Sequence, residues 1–368
     1  MTNPLLRLGE LGQSPWFDNI THDLIMSGQL ARLIRDDGLR GMTSNPSIFE
    51  KAVAKTEVYD DLVRRLTDEG RDSAAIFEAI AVSDVQLACD VFRPTYEATD
   101  GVDGTVSIEV SPTLGNDTKG TIAEAERLWK AVNRPNVMVK IPGTAEGIPA
   151  IEHCLAEGIN INITLLFSVE RYAQVIEAFL QAFESRVAKG EPVDRLCSVA
   201  SFFVSRVDTK VDPQLDNLGD PKHIRGKIAI ANAAMAYRLF ETTLASERWK
   251  KLAARGARPQ RPLWASTSTK DPKYPDIYYV EALIAPLTVN TMPPETFEAY
   301  RDHGKPEVRI HQAIDAAPAQ LAALEASGIS LAQVTHELEV EGVEKFGVAY
   351  GSLLKGVEAK AGELAGSR

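Results

Sequence analysis

The sequence has few cysteines, and none of them has the spacing of a disulfide framework or a zinc site. Cys89, Cys154 and Cys197 are odd in number and widely separated, without a Cys-x-x-Cys pair. This pattern is typical of reduced thiols in a cytosolic protein. The six histidines likewise show no His-Glu-x-x-His motif or other ligand spacing, so the sequence gives no sign of a metal site.

Long apolar runs and nucleotide-binding loops are also missing. No stretch approaches the roughly 18 apolar residues of a membrane span, and residues 1–13 lack the pattern of a signal peptide. Neither Gly-x-Gly-x-x-Gly nor Gly-x4-Gly-Lys-Ser/Thr occurs, and no Gly-x-Ser-x-Gly elbow is present. The net charge of -11 disfavours nucleic-acid binding. We therefore expect a cytoplasmic protein with no cofactor and no nucleic-acid partner.

Short apolar segments alternate with longer segments of helical spacing along most of the chain. The predicted strands cover residues 15–20, 39–43, 106–110, 136–141, 160–166, 196–204, 262–267 and 287–291. The clearest helical segments between them are residues 122–132, 169–189 and 227–252. Eight mostly apolar strands separated by helices favour a closed (β/α)8 barrel in a single domain spanning residues 1–368. An open, doubly wound sheet is the alternative, because sequence cannot show closure.

Two regions are additional to the minimal barrel, which needs about 250 residues. Residues 47–99, between the second and third strands, are predicted to form several helices, for example at 57–69 and 73–90. A helical tail follows Pro293 and includes residues 313–326 and 342–360. Residues 208–222, rich in Asp, are predicted to form a surface loop.

One lysine and two acids interrupt otherwise apolar strands. Lys140 lies near the carboxyl end of the fourth strand, which faces the active site in an α/β barrel. Desolvation favours the neutral, nucleophilic form of a buried lysine. Asp18 and Glu109 interrupt the first and third strands, and could meet Lys140 at the barrel mouth as proton-transfer groups. The alternatives are a lysine that extends to solvent and separate structural ion pairs.

Polar residues recur at the ends of other predicted strands. Asn45 follows the second strand, where a helix cap is the simpler interpretation. Asn160, Asn162 and Thr164 alternate along one face of the fifth strand. Further candidates at the sixth and seventh strands are Ser201, Phe203, Ser205, Arg206, Ser266, Ser268 and Lys270. Arg206 and Lys270 are the most plausible phosphate-binding cations, although a solvated surface charge is the commoner explanation for either one.

Four segments in order resemble motifs of the transaldolase family. They are Thr-Ser-Asn-Pro-Ser at residues 43–47, Val-Ser-Ile-Glu-Val at 106–110, Val-Lys-Ile-Pro-Gly-Thr at 139–144 and Asn-Ile-Thr-Leu-Leu-Phe-Ser at 162–168. The long insertions are most similar to the larger bacterial branch. The resemblance implies a (β/α)8 barrel and a metal-independent transferase of the pentose phosphate pathway. Such an enzyme moves a dihydroxyacetone unit from sedoheptulose 7-phosphate to glyceraldehyde 3-phosphate.

The resemblance also implies roles for individual residues. Lys140 would form the Schiff base, Asp18 would act as acid/base in carbon–carbon cleavage, and Glu109 would activate a water that Thr164 orients. Asn45 and Asn162 would hold substrate hydroxyls. The substrate and phosphate pocket would contain Ser201, Phe203, Arg206 and Ser266, with Lys270 in place of an arginine that many relatives carry at the position of Ser268.

Two other functions stay open at this point. A fructose 6-phosphate aldolase would release the three-carbon unit instead of transferring it, but Phe203 cannot donate the proton that a tyrosine there would supply. A catalytically silent sugar-phosphate-binding barrel is the third possibility. The C-terminal helices could form a homodimer interface or pack on their own barrel, and their sequence fits both.

Overall fold

Eight parallel strands close into a barrel in the computed structural model, which describes residues 3–220 and 222–366. The strands are β1 (Gln13–Asp18), β2 (Gly41–Thr43), β3 (Thr105–Glu109), β4 (Val137–Pro142), β5 (Ile161–Leu166), β6 (Ser198–Phe203), β7 (Arg261–Ala265) and β8 (Thr288–Met292). Each strand pairs with its neighbours in chain order, and β8 returns to pair with β1. The (β/α)8 prediction is confirmed, and closure eliminates the open sheet.

Helices surround the barrel and extend it at two places. They are α1 (Pro4–Glu10), α2 (His22–Met26), α3 (Gln29–Asp37), α4 (Pro46–Lys55), α5 (Asp60–Asp68), α6 (Ser73–Ala98), α7 (Thr118–Val132), α8 (Gly147–Ala156), α9 (Val169–Lys189), α10 (Ser205–Asn217), α11 (Ile228–Ala245), α12 (Glu247–Ala253), α13 (Tyr278–Ala282), α14 (Pro294–His303), α15 (Ile310–Ala326) and α16 (Leu331–Gly366). The predicted insertion between β2 and β3 is α4, α5 and α6. Among the described residues, no helix is both long and apolar enough to cross a membrane.

The strands are buried on both faces, as their apolar sequences predict. Every residue of β4, β5, β6, β7 and β8 is buried. The side chains that point into the barrel meet at its centre, and those that point outward pack under the helices. Parallel strands covered on both sides need little sequence alternation, and their carboxyl ends all open at one mouth of the barrel.

The predicted loop at residues 208–222 is wrong over most of its length, because residues 205–217 form α10. Val207, Val211 and Leu215 recur at helical spacing and are buried. Burial of this face outweighs Pro213, which removes a single helical hydrogen bond. The Asp content was misleading as well, because Asp208 and Asp212 are themselves buried and hydrogen-bonded. Pro221, within the predicted loop, lies outside the described residues.

Three helical predictions differ clearly from the structure in extent or continuity. The segment at residues 227–252 forms two helices, because Ser246 is extended and its side chain accepts a hydrogen bond from Trp249 N at the start of α12. The helix predicted at residues 73–90 continues through Pro94 to Ala98. The tail predicted at residues 342–360 is the centre of α16, which packs against the inserted helices α4, α5 and α6.

Candidate active site

Lys140 is held inside the barrel mouth by the register of three strands. It pairs with Glu109 of β3 on one side and with Asn162 of β5 on the other. Its side chain is only 7% exposed. Nζ donates to the backbone carbonyl of Ser44 at 3.1 Å and lies 3.4 Å from Glu109 Oε2. The lysine therefore points towards the barrel interior and not into the surrounding helices.

Asp18 approaches the same region from the end of β1. Its carboxylate accepts a hydrogen bond of 2.7 Å from Thr43, which in turn lies 2.7 Å from the hydroxyl of Thr291. Burial raises the pKa of Asp18 above its ordinary value, whereas the positive charge of Lys140 and the Thr43 hydrogen bond act in the opposite direction. Asp18 is therefore a carboxyl group whose proton affinity is raised, beside the lysine.

Glu109 is nearly inaccessible, with 7% of its side chain exposed. Desolvation raises its pKa, while the charge and hydrogen bond of Lys140 lower it. The charge of Asp18 adds a further increase, so the two acids are within electrostatic reach of each other. Two buried carboxyl groups with raised pKa values beside a lysine are candidates for proton transfer.

The strand that carries Thr164 is irregular at this residue. The pairing of β5 with β6 shifts register between Ile163 and Leu166, and Leu165 has a positive φ of 60°. Bulges of this kind re-aim side chains next to active sites. The hydroxyl of Thr164 is buried, borders the cavity and has no hydrogen-bond partner among residues 3–220 and 222–366. It is thus available to bind a small polar group.

A cavity of ≈ 410 Å³ opens at the mouth of the barrel next to Lys140. Nine of the eleven predicted site residues line it: Asp18, Asn45, Lys140, Thr164, Ser201, Phe203, Arg206, Ser266 and Lys270. Glu109 and Asn162 lie behind this wall. Glu109 contacts Lys140, and Asn162 donates to Ser107 and accepts from Ser201 at 2.7 Å. The predicted site residues therefore lie close together at the mouth of the barrel, although Asn162 is placed to orient Ser201.

Asn45 can serve in both of the roles predicted for it, as a helix cap and as a residue of the substrate site. Its side chain accepts a hydrogen bond from Ile48 N and so caps α4, and the same residue borders the cavity. An Asn cap uses its oxygen and leaves the amide N–H groups free to donate. Asn45 can therefore cap the helix and still donate to a bound molecule.

Two cations also border the cavity. Arg206 lies in the first turn of α10, and Lys270 follows β7 and donates to Ser268 at 2.5 Å. Arg206 makes no hydrogen bond or ion pair with any described residue. The position of Arg206 near a helix N-terminus and the cluster of hydroxyls from Ser266 and Ser268 suit an anionic group.

Together these features give a buried amine near two acids, a largely polar wall, and two cations that border the same cavity. An amine of this kind can attack a carbonyl carbon, and the acids can move the protons that the reaction requires. The cations can hold a phosphate group in the same cavity. The geometry therefore suits covalent amine chemistry on a phosphorylated carbonyl compound.

Comparisons with known proteins agree with this geometry. The family model described as transaldolase/fructose-6-phosphate aldolase matches residues 15–357. The chain is 52% identical over 361 residues to the transaldolase of Acidothermus cellulolyticus, covering 97% of this chain and 96% of that protein. It is 49% identical over 359 residues to the transaldolase of Thermobifida fusca, covering 96% and 97%. The chain belongs to the transaldolase/fructose-6-phosphate aldolase family. The family indicated by the four sequence motifs is confirmed.

The transaldolase-family motifs did not identify every residue at the mouth. Thr43 and Ser44 lie within one of them, but only the fold shows that they contact Asp18 and Lys140. Thr291 is an ordinary polar residue of β8 in the sequence. Phe346 of α16 had no signal at all, since it is one aromatic in a long amphipathic helix, yet its ring centre lies 5.7 Å from Lys140 Nζ.

Proposed function

We propose that this chain is a transaldolase that transfers dihydroxyacetone from sedoheptulose 7-phosphate to glyceraldehyde 3-phosphate, giving erythrose 4-phosphate and fructose 6-phosphate. The observation that carries the proposal is the position of Lys140. Its amine lies within hydrogen-bond reach of Ser44 O and Glu109, beside a cavity that Asp18 and Arg206 also border. The transaldolase relatives, which match nearly the whole chain, support the same activity.

In the proposed first step, the amine of Lys140 attacks the ketose carbonyl carbon, and loss of water from the carbinolamine leaves an iminium ion. Glu109 is 3.4 Å from the amine and has a raised pKa, so it can pass a proton to the departing hydroxyl and later activate water for hydrolysis. The free hydroxyl of Thr164 would orient that water.

Carbon–carbon cleavage then depends on Asp18. Its ionised carboxylate takes the proton of the hydroxyl on the carbon beyond the bond to be broken, and that oxygen becomes the aldehyde of the leaving aldose phosphate. The electron pair of the broken bond moves to the iminium, which leaves a neutral enamine on Lys140. The enamine attacks the acceptor aldehyde, Asp18 returns the proton, and hydrolysis frees Lys140.

The remaining residues bind the substrate in this proposal. Arg206 and Lys270 hold the phosphate with help from Ser266, and Asn45 donates to a substrate hydroxyl. Asn162 acts by orienting Ser201 through their 2.7 Å hydrogen bond. Phe203 packs on Phe167, with ring centres 5.1 Å apart, and forms an apolar part of the wall.

Transfer is favoured over aldol release by this apolar wall. Release of free dihydroxyacetone requires a proton on the enamine carbon, and the phenyl ring of Phe203 cannot supply one. The enamine then persists until an aldose phosphate arrives.

The test is a transfer assay with sedoheptulose 7-phosphate, run with and without glyceraldehyde 3-phosphate and with and without a chelator. We expect fructose 6-phosphate only when the acceptor is present, in equal yield with chelator. Free dihydroxyacetone at the rate of transfer would indicate the aldolase, and no turnover of either kind would indicate a silent binding barrel.

A cytoplasmic location, expected from the sequence, stays a prediction. The sequence of the C-terminal helices fits both a homodimer and packing on their own barrel. Sedimentation of the purified chain distinguishes the two, because a homodimer would have about twice the monomer mass of 40.1 kDa.

A further inference from the structure

Helix α10 carries two cations one turn apart in opposite situations. Arg206 borders the cavity and has no hydrogen-bond or ion-pair partner among residues 3–220 and 222–366. Lys210 is bound to two acids of α16, with its Nζ 2.7 Å from Glu337 and in close contact with Glu341. Residues four apart share a helix face, so both cations face the same side of α10.

Glu341 of α16 acts on both of these cations. Its carboxylate contacts Lys210 through one oxygen and Lys345, at 3.2 Å, through the other. Its charge also acts on Arg206: burial lowers the pKa of Arg206, and the negative charge of Glu341 opposes that shift. An acid on α16 is thus within electrostatic reach of the cation assigned to the substrate phosphate.

We propose that Lys210 is a positioning residue that holds Glu341 away from Arg206 and so keeps Arg206 free to bind the substrate phosphate. The inference rests on the proposed function, in which Arg206 binds that phosphate. A guanidinium pairs with a carboxylate in the same forked geometry as with a phosphate. Without Lys210, Glu341 competes with the substrate for the same donors.

A second ion pair between α16 and the barrel provides a control. It allows the proposed effect of Lys210 on Glu341 to be distinguished from its contribution to the packing of α16. Arg171 of α9 donates to both carboxylate oxygens of Glu339, at 3.1 and 3.2 Å. This ion pair also holds α16 to the barrel, but it involves neither Glu341 nor Arg206. Arg171→Gln is therefore the matched control for loss of a clamp on α16.

The experiment measures the KM for fructose 6-phosphate and the inhibition constant of inorganic phosphate. Lys210→Gln should raise both by roughly five- to twenty-fold, with kcat changed little, because competition at Arg206 weakens phosphate binding. Activity towards fructose, which has no phosphate, should be retained. The double variant Lys210→Gln/Glu341→Gln should return KM close to that of the unmodified chain, and Arg171→Gln should leave KM unchanged.

Three results would overturn the inference: an unchanged KM in Lys210→Gln, no recovery in the double variant, or an equal rise in Arg171→Gln. The last two would reduce Lys210 to a helix clamp. Failure of the proposed function is recognised separately. If Arg206→Gln does not weaken inorganic phosphate inhibition, the phosphate site itself is misplaced, whatever Lys210 does.

Discussion

The two ends of the barrel each bury an ion pair, but they use it differently. At the amino-terminal end, Arg261 contacts Asp103 at 3.0 Å, and the side chains are 10% and 12% exposed. At the carboxyl-terminal end, Lys140 and Glu109 are 3.4 Å apart, and each is 7% exposed. Burial of a charged pair therefore does not distinguish the two ends.

Hydrogen bonding does distinguish them. Arg261 donates to Ser14, to the carbonyl of Val102 and to Asp103, and Ser14 donates to the same carboxylate. These bonds come from neighbouring backbone and side chains, so the pair stabilises the fold. The pair at the mouth has a long contact and lies against a cavity, and Thr164 beside it has a hydroxyl without a described partner. The ion pair at the mouth is therefore the less fully hydrogen-bonded of the two.

The largest expected effects are opposite for the two ion pairs. Loss of the cation at the mouth should remove activity, and loss of the cation at the amino-terminal end should reduce stability. Lys140→Ala should abolish transfer, because Glu109 contacts no other lysine among the described residues, and should leave the free energy of unfolding within about 1 kcal/mol of that of the unmodified chain. Glu109 has a raised pKa and can take up a proton when the cation is gone. Arg261→Met should cost roughly 3–5 kcal/mol, since it leaves Asp103 buried without its cation, while the folded enzyme stays active.

Urea denaturation and the transfer assay on the two variants make the comparison. If Lys140→Ala were the strongly destabilised variant, or if Arg261→Met lost activity while folded, the assignment of the two ends would be reversed.

A smaller effect on activity is expected when Glu109 is replaced by a neutral side chain. Glu109→Gln keeps the size of the side chain but cannot exchange a proton with the carbinolamine, so transfer should slow by roughly 10²- to 10⁴-fold. Stopped-flow measurement of imine formation should account for the loss, with little change in the urea midpoint. A variant that unfolds instead would make Glu109 a structural acid like Asp103.

The smallest effect sharpens the electrostatic account of Asp18. The Thr43 hydrogen bond stabilises the ionised carboxylate, so Thr43→Val should raise the already raised pKa of Asp18 further. Cleavage needs the ionised form, and activity is lost as pH falls through this pKa. The acid limb of the kcat/KM profile should therefore move to higher pH by roughly half a unit to one unit.

Thr291→Val is the matched control for this shift. It removes the hydroxyl that contacts Thr43 but keeps the bond from Thr43 to Asp18. A profile that moves equally in both variants would point to general loosening of the mouth and not to the carboxylate.

Much of the fold and of the site follows from sequence because parallel strands leave a strong signal. All eight strands lie within a few residues of their predicted positions, since strands buried on both faces read as continuous apolar runs. In such runs, Asp18, Glu109 and Lys140 are conspicuous. The carboxyl-end rule for barrels then places them together without further information.

The features of the fold and site that the sequence does not predict depend on tertiary contacts, which leave no pattern in the local sequence. The aspartates of α10 resemble those of a loop until their buried partners, Ala229 N and Gly226 N, are known. Phe346 reaches Lys140 only because α16 crosses the mouth at Gly342, where an added Cβ would lie 3.0 Å from Leu165. Amphipathic spacing predicts a helix but not the surface on which it packs.

The proposed mechanism requires a covalent bond between the amine of Lys140 and the substrate ketone. Borohydride reduction in the presence of fructose 6-phosphate, followed by peptide mass mapping, tests it directly. We expect a stable adduct on Lys140 that carries the reduced three-carbon unit or the whole sugar phosphate, and none in Lys140→Ala. An adduct on another lysine, or full transfer activity without any trapped adduct, would contradict it.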